Sequence, residues 1–379
     1  MKSIAMPHPH KDVVVVGAGI IGAACAHQLA KAGLSVHVLD ARLGGATQAG
    51  MGHLVVMDSN PAELALSAAS MEAWRQWGPR MNATDPGCAY TECGTLWVAT
   101  DRNDMAEAER KHARLHDCGI SATLLTASQL ANAEPGLRAG LAGGLHVPGD
   151  GLVYAPSAAR WLLTHAPPGM SFEAAQVCTI DEEGVVLADG SRRNAQAVVL
   201  ATGIMATRLC DDLPLHPKKG HLAITDRYPT GIRHQLVELG YMASTHQRDG
   251  AAVAFNVQPR PTGQLLIGSS RQTGQSDASV DSLLLSRMLK RAIEFLPGLS
   301  GMNLIRTWTG IRAATPDGLP LIGPHPTRPK LWLALGHEGL GVTTAPTTAA
   351  LLTALMSNAA TPLAAAPFAP SRSFDEVTP

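Results

Sequence analysis

The sequence predicts an α/β chain, α+β overall, in which a doubly wound layer is interleaved with a discontinuous antiparallel-sheet domain. Three stretches predict it. Residues 11–40, KDVVVVGAGIIGAACAHQLAKAGLSVHVLD, read as strand, glycine turn, helix and strand, with an acid at the tip of the second strand. Residues 197–203, AVVLATG, form a second apolar run that ends in glycine. Residues 330–335 form a third, followed by a glycine-rich turn at 336–341 and a helix over 343–356. Continuous apolar runs are what parallel strands buried on both faces require. The stretches between them carry alternating strands, which predicts a second domain inserted twice. The boundaries read as 1–80, 148–214 and 306–379 for the first domain, and 81–147 and 215–305 for the second.

Gly17, Gly19 and Gly22 follow the first strand in the pattern G-x-G-x-x-G. Gly17 permits the tight turn, Gly19 lets the backbone approach a pyrophosphate, and Gly22 lets the helix pack close to the strand. Ile20 and Ile21 open that helix, whose free N–H groups and positive dipole end point at phosphates. Asp40 falls 18 residues after Gly22, beside Ala41, where a carboxylate accepts hydrogen bonds from ribose hydroxyls. Strand, helix and acid all stand in the order a Rossmann-like dinucleotide site needs. The motif alone does not say which dinucleotide.

After Asp40 comes a glycine- and alanine-rich loop, 44–53. Residues 63–77 have helical spacing, with Leu64, Ala68, Met71 and Trp74 on one face. A strand at 94–99, a charged exposed helix at 104–118, a short helix at 128–133 and a broken extended segment at 145–154 follow. A helix at 157–165, a strand at 171–179 and a hairpin around Asp189 and Gly190 lead into the AVVLATG strand. Residues 222–225, 251–256 and 264–268 read as antiparallel strands, and 282–295 as a helix with apolar Leu284, Met288 and Ile293. Residues 364–379, rich in Ala, Pro and Ser, read as a loose tail.

The 379 residues suffice for two domains, and 45% hydrophobic with 16% charged residues describes a globular chain. Thirty basic and 31 acidic residues give a net charge of -1, with no electrostatic footprint for nucleic acid or an anionic membrane. Aromatics, at 4%, are too sparse for base-stacking platforms. No apolar stretch reaches transmembrane length, and residues 1–10 lack the apolar core of a signal peptide. The cysteines, Cys25, Cys88, Cys93, Cys118, Cys178 and Cys210, form no C-x-x-C pair; a reducing cytoplasm fits them, with Cys25 and Cys178 read as core. The 15 histidines have no metal-ligand spacing, and His8 and His10 offer only adventitious binding.

Five spaced pieces together resemble the D-amino acid oxidase superfamily of flavin-dependent amine oxidoreductases, in particular its glycine oxidase and D-hydroxyproline dehydrogenase branch. They are GAGIIGAACAHQLAKAG at 17–33, GGATQAGMGHL at 44–54, VVLATG at 198–203, WTGIRAATPDGLPLIG at 308–323 and GHEGLGVTTAPTTAALL at 336–352. The resemblance runs from about residue 12 to about residue 356, and its last two pieces are far more specific than the first. It implies FAD rather than NAD. It places the ADP half on Gly17, Gly19, Gly22 and Asp40, with Gly44, Gly45, Ala46 and Thr47 along the pyrophosphate and flavin. It lays Gly50, Met51 and Gly52 along the isoalloxazine ring, sets the backbone of Val177 against the adenine, and closes the site with Ala201, Thr202 and Gly203. The turn Gly336, His337, Glu338, Gly339, Leu340, Gly341 and Val342 opens a helix whose N–H groups stabilise negative charge on the reduced flavin. Covalently flavinylated members use a cysteine near the C-terminus; none follows Cys210 here, so the FAD is expected to be non-covalent.

The resemblance further implies a small amino-acid substrate whose Cα hydride goes to flavin N5. Arg312 matches the family's carboxylate-binding arginine, a fork that fixes orientation as well as charge. The alternative for Arg312 is a structural ion pair with Asp317. This chain departs from the glycine oxidase pattern at two positions. His53 stands where the family has an apolar residue, and Asn256 where it has a substrate-facing tyrosine. Both add polarity suited to a hydroxylated ring, which favours cis-4-hydroxy-D-proline or D-proline over glycine. His337 is expected to buttress the flavin turn, and Lys218 and Lys219, beside His221, to be a solvated pair or to promote reaction with oxygen.

Four other readings compete. One is a glycine- or sarcosine-type oxidase that releases hydrogen peroxide. Another is the flavin subunit of a multisubunit dehydrogenase, whose iron–sulfur cluster would sit on a partner because this chain has no such cysteine spacing. The third is an FAD-binding subunit without turnover, against which the intact Arg312 motif argues. The last, a nicotinamide dehydrogenase, is disfavoured by the second and fifth pieces. The expected location is the cytoplasm, peripheral to the inner membrane where an electron-accepting partner holds it there.

Overall fold

In a computed structural model the described residues are 11–229, 231–240 and 251–374. They divide into two compact units. The first comprises the described residues of Met1–Thr47, Pro156–Leu215 and Ala313–Val377; the second comprises those of Gln48–Ala155 and His216–Arg312.

The first unit is built on a mainly parallel sheet. Its central order is Leu321–Pro324, Leu331–Leu335, Arg192–Leu200, Lys11–Val16, Val36–Asp40 and Met170–Ala174. Lys11–Val16 pairs in parallel with both Arg192–Leu200 and Val36–Asp40. Val13, Val14, Val15 and Val16 are all buried, so the β-branched run is covered on both faces as its composition requires. On one face Val14, Val16, Leu39, Val198, Leu200 and Leu333 share a core. The helix Ile20–Lys31 packs against Gly341–Met356, the helix that follows the last parallel strand.

The second unit carries a sheet in the order Leu304–Ala314, His216–Thr225, Leu265–Thr273, Ala251–Pro259, Gln235–Glu238, Thr95–Ala99, Gly143–Val147 and Thr123–Thr126. Leu96, Val98, Leu236, Phe255, Val257 and Ile267 bury one face against Met288, Ala292 and Phe295 of the helix Ser282–Phe295. The Asp281 carboxylate caps that helix by accepting from the N–H groups of Leu283 and Leu284.

Several expectations need correction. Residues 48–80, 148–155 and 306–312 belong to the second unit, not the first, and Leu215 to the first. The reason is pairing: His53–Leu54 forms a small sheet with Gly151–Leu152, and Leu304–Ala314 edges the second unit's sheet. The helix read at 63–77 runs Pro61–Thr84, started by an Asn60 side chain that accepts from Glu63 N–H. The strand read at 171–179 is two strands, Met170–Ala174 and Val177–Asp181. The restart buries Val177 and turns Cys178 to solvent, so Cys178 is not core. Ile293 is exposed, because Ala292 and Phe295 hold that turn's buried positions. The charged helix Arg102–Asp117 has a buried side, where Lys111 pairs with Asp58. The tail is docked as far as it is described: Phe368 is buried, and Arg372 pairs with Asp317 at 2.7 Å. Residues 1–10, with His8 and His10, and the end of the tail lie outside the described residues. Among the described residues no helix is long and apolar enough to cross a membrane.

Candidate active site

In the first unit the glycines are needed at their positions. Gly17 has a φ of 103°, and a Cβ there would lie 2.6 Å from the carbonyl oxygen of Ala201. A Cβ on Gly22 would meet the Gly17 carbonyl oxygen at 1.9 Å, so this glycine is what lets helix and turn touch. Gly19 closes against nothing but the Thr47 side chain and leaves its backbone open. Among the described residues no side chain caps the start of the helix Ile20–Lys31. Asp40 accepts from Ala18 N–H at 2.7 Å and, past Ala41, from Arg42 N–H at 2.6 Å. The Thr47 hydroxyl oxygen accepts from Ile20 N–H at 3.0 Å, so it braces the helix start as well as lining the loop with Gly45 and Ala46. Ile21 lies 3.8 Å from the Cβ position of Gly341, where the other helix begins. Val177 is buried, and the Thr202 hydroxyl, beside Gly203, is buried without a hydrogen-bond partner among the described residues.

The turn before the last helix is fixed from within the same unit. Gly336 has a φ of 77°, and its Cβ would strike Thr315. Glu338 holds a left-handed φ of 46° and donates its N–H to Ala313 O at 2.9 Å. His337 is buried with Nε2 3.0 Å from the Thr348 hydroxyl, and burial lowers its pKa to about 3. It is therefore neutral near pH 7 and braced against Thr348 of the helix that follows. Past Gly339, Leu340 N–H returns to His337 O, and Gly341 and Val342 enter a helix that no side chain caps.

The second unit holds Met51 and Gly52 on its own terms. Met51 is buried, with its sulfur against Gly268. Gly52, at a φ of 82°, leaves no room for a Cβ beside Val153 O, and Gly50 precedes them in the same loop. His53 and Asn256 meet: Asn256 Nδ2 is 2.9 Å from His53 Nε2. The Gln235 Oε1 contact to His53 Nδ1, at 2.5 Å, puts the ring proton on Nδ1 and leaves Nε2 to accept from Asn256. Gln258 Nε2, 2.8 Å from the same Nδ1, sends its N–H to Gln235 Oε1, 3.4 Å away. Burial, ahead of the nearby Arg260 and Arg312 charges, lowers the His53 pKa to about 4, so the ring is neutral near pH 7. Asn256 Oδ1 and Gln258 Oε1 are both buried and have no hydrogen-bond partner among the described residues. Orphaned buried acceptors are costly, and they mark a place where another donor belongs.

Arg312 leaves the edge strand Leu304–Ala314 and reaches over the neighbouring strand at Gly220 to donate to Ser270 O at 3.2 Å. Its proposed alternative partner, Asp317, is taken by Arg372. Ser270 is in turn held by His221, whose N–H and Nδ1 both lie 2.8 Å from Ser270 Oγ and whose Nε2 accepts from Asp281 N–H at 2.9 Å. Lys219 is buried and paired with Asp277 at 2.8 Å, which corrects the expectation of a solvated lysine pair. Arg260 donates to Met51 O at 2.7 Å, and burial lowers its pKa to about 10.

The family model for FAD dependent oxidoreductases matches residues 12–355. The chain belongs to that family. Glycine oxidase of Geobacillus kaustophilus (strain HTA426) is 31% identical over 97% of this chain and 98% of that one. Its kind is also a structural match: the crystal structure of glycine oxidase from Geobacillus kaustophilus superposes with a TM-score of 0.85, at 27% identity over 96% of this chain and 99% of the other. L-proline dehydrogenase from P. horikoshii shares the fold, with a TM-score of 0.84 at 21% identity over 95% of this chain and 97% of that one. Hydrogen cyanide synthase subunit HcnC of Pseudomonas aeruginosa (strain PAO1) is 26% identical over 95% of this chain and 96% of its own length.

As an FAD-dependent oxidoreductase the chain uses FAD, and its first unit fits the group. The backbone is bare at Gly17 and Gly19, the Ile20–Lys31 helix start lacks a side-chain cap, and the Thr202 hydroxyl lacks a partner. Sequence reasoning missed Gln235, Gln258, Arg260, Gly220 and Ser270. Gln258 had a usable signal, since a residue two positions after Asn256 on a strand shares its face. Gln235 had none, because its short strand does not alternate.

Proposed function

We propose that this FAD-dependent oxidoreductase oxidises a D- or imino-type amino acid, with cis-4-hydroxy-D-proline or D-proline as the substrate. Bound non-covalently, FAD supplies the hydride acceptor for the substrate's Cα–H. Arg312 takes the substrate carboxylate in its guanidinium fork, which orients the ring as well as neutralising its charge. Asn256 Oδ1, the buried acceptor with no partner, is the observation that carries the substrate assignment. It accepts a donor on the substrate, the 4-hydroxyl or the amine, while His53 holds the Asn256 amide from the other side. His53 and His337 are both neutral near pH 7, so neither serves as a proton donor. The substrate amine must itself be neutral to release the hydride, which gives activity that rises toward alkaline pH.

A second reading is a glycine- or sarcosine-type oxidase that releases hydrogen peroxide, favoured by the 31% identical glycine oxidase. A role as the flavin subunit of a larger dehydrogenase is supported by HcnC, itself a subunit of hydrogen cyanide synthase. In that case an electron-accepting or iron–sulfur partner completes it and sets its place in the cell. The test is anaerobic stopped-flow reduction by cis-4-hydroxy-D-proline, D-proline, glycine and sarcosine in parallel. Bleaching of the flavin by the proline pair alone, with slow reoxidation in air, is the expected result. Bleaching by glycine or sarcosine, with fast reoxidation and peroxide, replaces the proposal with the second reading. No bleaching by any amino acid leaves an FAD-binding subunit without turnover.

A further inference from the structure

We infer that Cys210, Asp212 and His325, none of them a candidate active-site residue, form a zinc site in the first unit. Cys210 Sγ donates to Asp212 Oδ1 at 2.9 Å and lies 3.4 Å from His325 Nε2; His325 Nε2 is 3.4 Å from Asp212 Oδ2. One ligand atom from each residue thus lies within 4.8 Å of the other two. With Zn–S near 2.3 Å and Zn–N or Zn–O near 2.0–2.1 Å, tetrahedral geometry puts ligand atoms about 3.3–3.6 Å apart. Taken through Asp212 Oδ2, the Sγ–Nε2 and Nε2–Oδ2 edges already have that length. Cys210 Sγ meets the other oxygen of the same carboxylate, Oδ1, so a turn of the exposed Asp212 side chain sets the third edge.

The backbone makes two of the ligands rigid and leaves the third free to move. Cys210 N–H donates to Ala206 O at 2.9 Å, at the end of the 3-10 segment Gly203–Arg208, and His325 N–H to Leu331 O at 2.8 Å. The Cys210 and His325 side chains are buried, while the Asp212 side chain is about half exposed, so a metal enters on the Asp212 side and keeps a water as its fourth ligand. Thr327 brackets His325 Nδ1, with its N–H at 3.3 Å and its hydroxyl at 3.4 Å. In this structure the Thr327 N–H donates to Nδ1; a metal on Nε2 moves the ring proton to Nδ1, and the contact then passes to the Thr327 hydroxyl oxygen, the kind of outer partner that orients ligating histidines. Thiolate with imidazole selects a borderline-soft ion such as Zn²⁺ over Mg²⁺ or Ca²⁺, and thiolate plus carboxylate balance its two charges. Binding ties the segment that follows Ala201–Thr202–Gly203 to the turn between Leu321–Pro324 and Leu331–Leu335. Uptake releases the Cys210 proton and so strengthens with rising pH.

The test uses the FAD-loaded protein, stripped with a chelator and titrated with zinc alone against a chromophoric competitor. The expected result is one zinc ion per chain, with affinity at least about tenfold weaker in Cys210→Ser and His325→Gln and also weakened in Asp212→Asn. Asp212 is exposed, so its variant tests the site even where a buried substitution fails to fold; flavin content and thermal unfolding report on folding in each. Cobalt in place of zinc is expected to give tetrahedral ligand-field bands to the red of the flavin absorption, lost in Cys210→Ser. The double variant His8→Ala, His10→Ala must leave the stoichiometry unchanged. Absence of stoichiometric zinc, or zinc that persists in Cys210→Ser and His325→Gln, overturns the inference.

Discussion

Replacing Gly220 by alanine should disable Arg312 without unfolding the protein. A Cβ at Gly220 would stand 2.6 Å from Arg312 Nη2, 2.9 Å from Cζ and 3.0 Å from Nη1. Gly220 is not at a positive φ, so alanine adds no backbone strain. The obstacle is the end of a flexible side chain, and the guanidinium retreats by about 0.8 Å to reach ordinary contact distance. A misplacement near 1 Å at a positioning group costs up to about 10²-fold in rate, and a loss of about 30- to 100-fold in kcat/KM corresponds to about 2–3 kcal/mol. The assay is kcat/KM with the substrate that best bleaches the flavin, run beside Gly298→Ala, whose added Cβ meets nothing within 4 Å. Gly220→Ala should keep its flavin and its thermal midpoint while kcat/KM falls. If kcat/KM stays within about threefold of the parent, Arg312 is not positioned by this contact, and its role as the carboxylate clamp loses its structural support.

Three more outcomes are expected. Gly22→Ala places a Cβ 1.9 Å from the Gly17 carbonyl oxygen, so the purified protein should be nearly colourless; full flavin content would refute the turn's role. Asn256→Leu removes the partnerless buried acceptor, and should lower kcat/KM for cis-4-hydroxy-D-proline about tenfold more than for D-proline; equal losses would sink the hydroxyl argument. Burial raises the Asp150 pKa from 3.8 to about 7, so the fold favours its protonated form; stability is greatest below the unfolded value and falls by about 4 kcal/mol as pH rises to 7. Urea unfolding from pH 4 to 8 should show that slope in the parent and lose most of it in Asp150→Asn.

Much of the first unit was legible because its signals are local. A run of four valines, three spaced glycines and an acid after the next strand each report on their own few residues, and φ at Gly17 bears the reading out. The errors arose where a local signal has two solutions. Residues 171–179 look like one strand, but the break after Ala174 reverses the faces and exposes Cys178. Residues 48–80 follow the nucleotide motif in sequence, yet His53–Leu54 finds its strand partner at Gly151–Leu152. The candidate substrate residues were only partly legible, because register across a sheet is not written in any one strand. Arg312, Gly220 and Ser270 come from three strands adjacent in the sheet order and distant in sequence.

The sheet's irregularities explain why these residues converge. The ladder between His216–Thr225 and Leu265–Thr273 shifts register between Lys219 and Ala223, the interval that contains Gly220 and His221. There the Ser270 hydroxyl accepts the His221 N–H that a regular ladder would give to a carbonyl. The Ser270 carbonyl is meanwhile bonded to Arg312, which can reach it because Gly220 presents no side chain. The next ladder, between Ala251–Pro259 and Leu265–Thr273, shifts between Val253 and Asn256, and past that shift Asn256 lies opposite Gly268. Bulges re-aim side chains beside active sites at the expense of regular pairing. Here two of them, on either side of one strand, accompany an amide that leaves its neighbour on one side and a cation that reaches over its neighbour on the other. A substitution that restored regular pairing at Gly220 should therefore stabilise the sheet and weaken the site, which is the opposite of what a purely structural glycine would show.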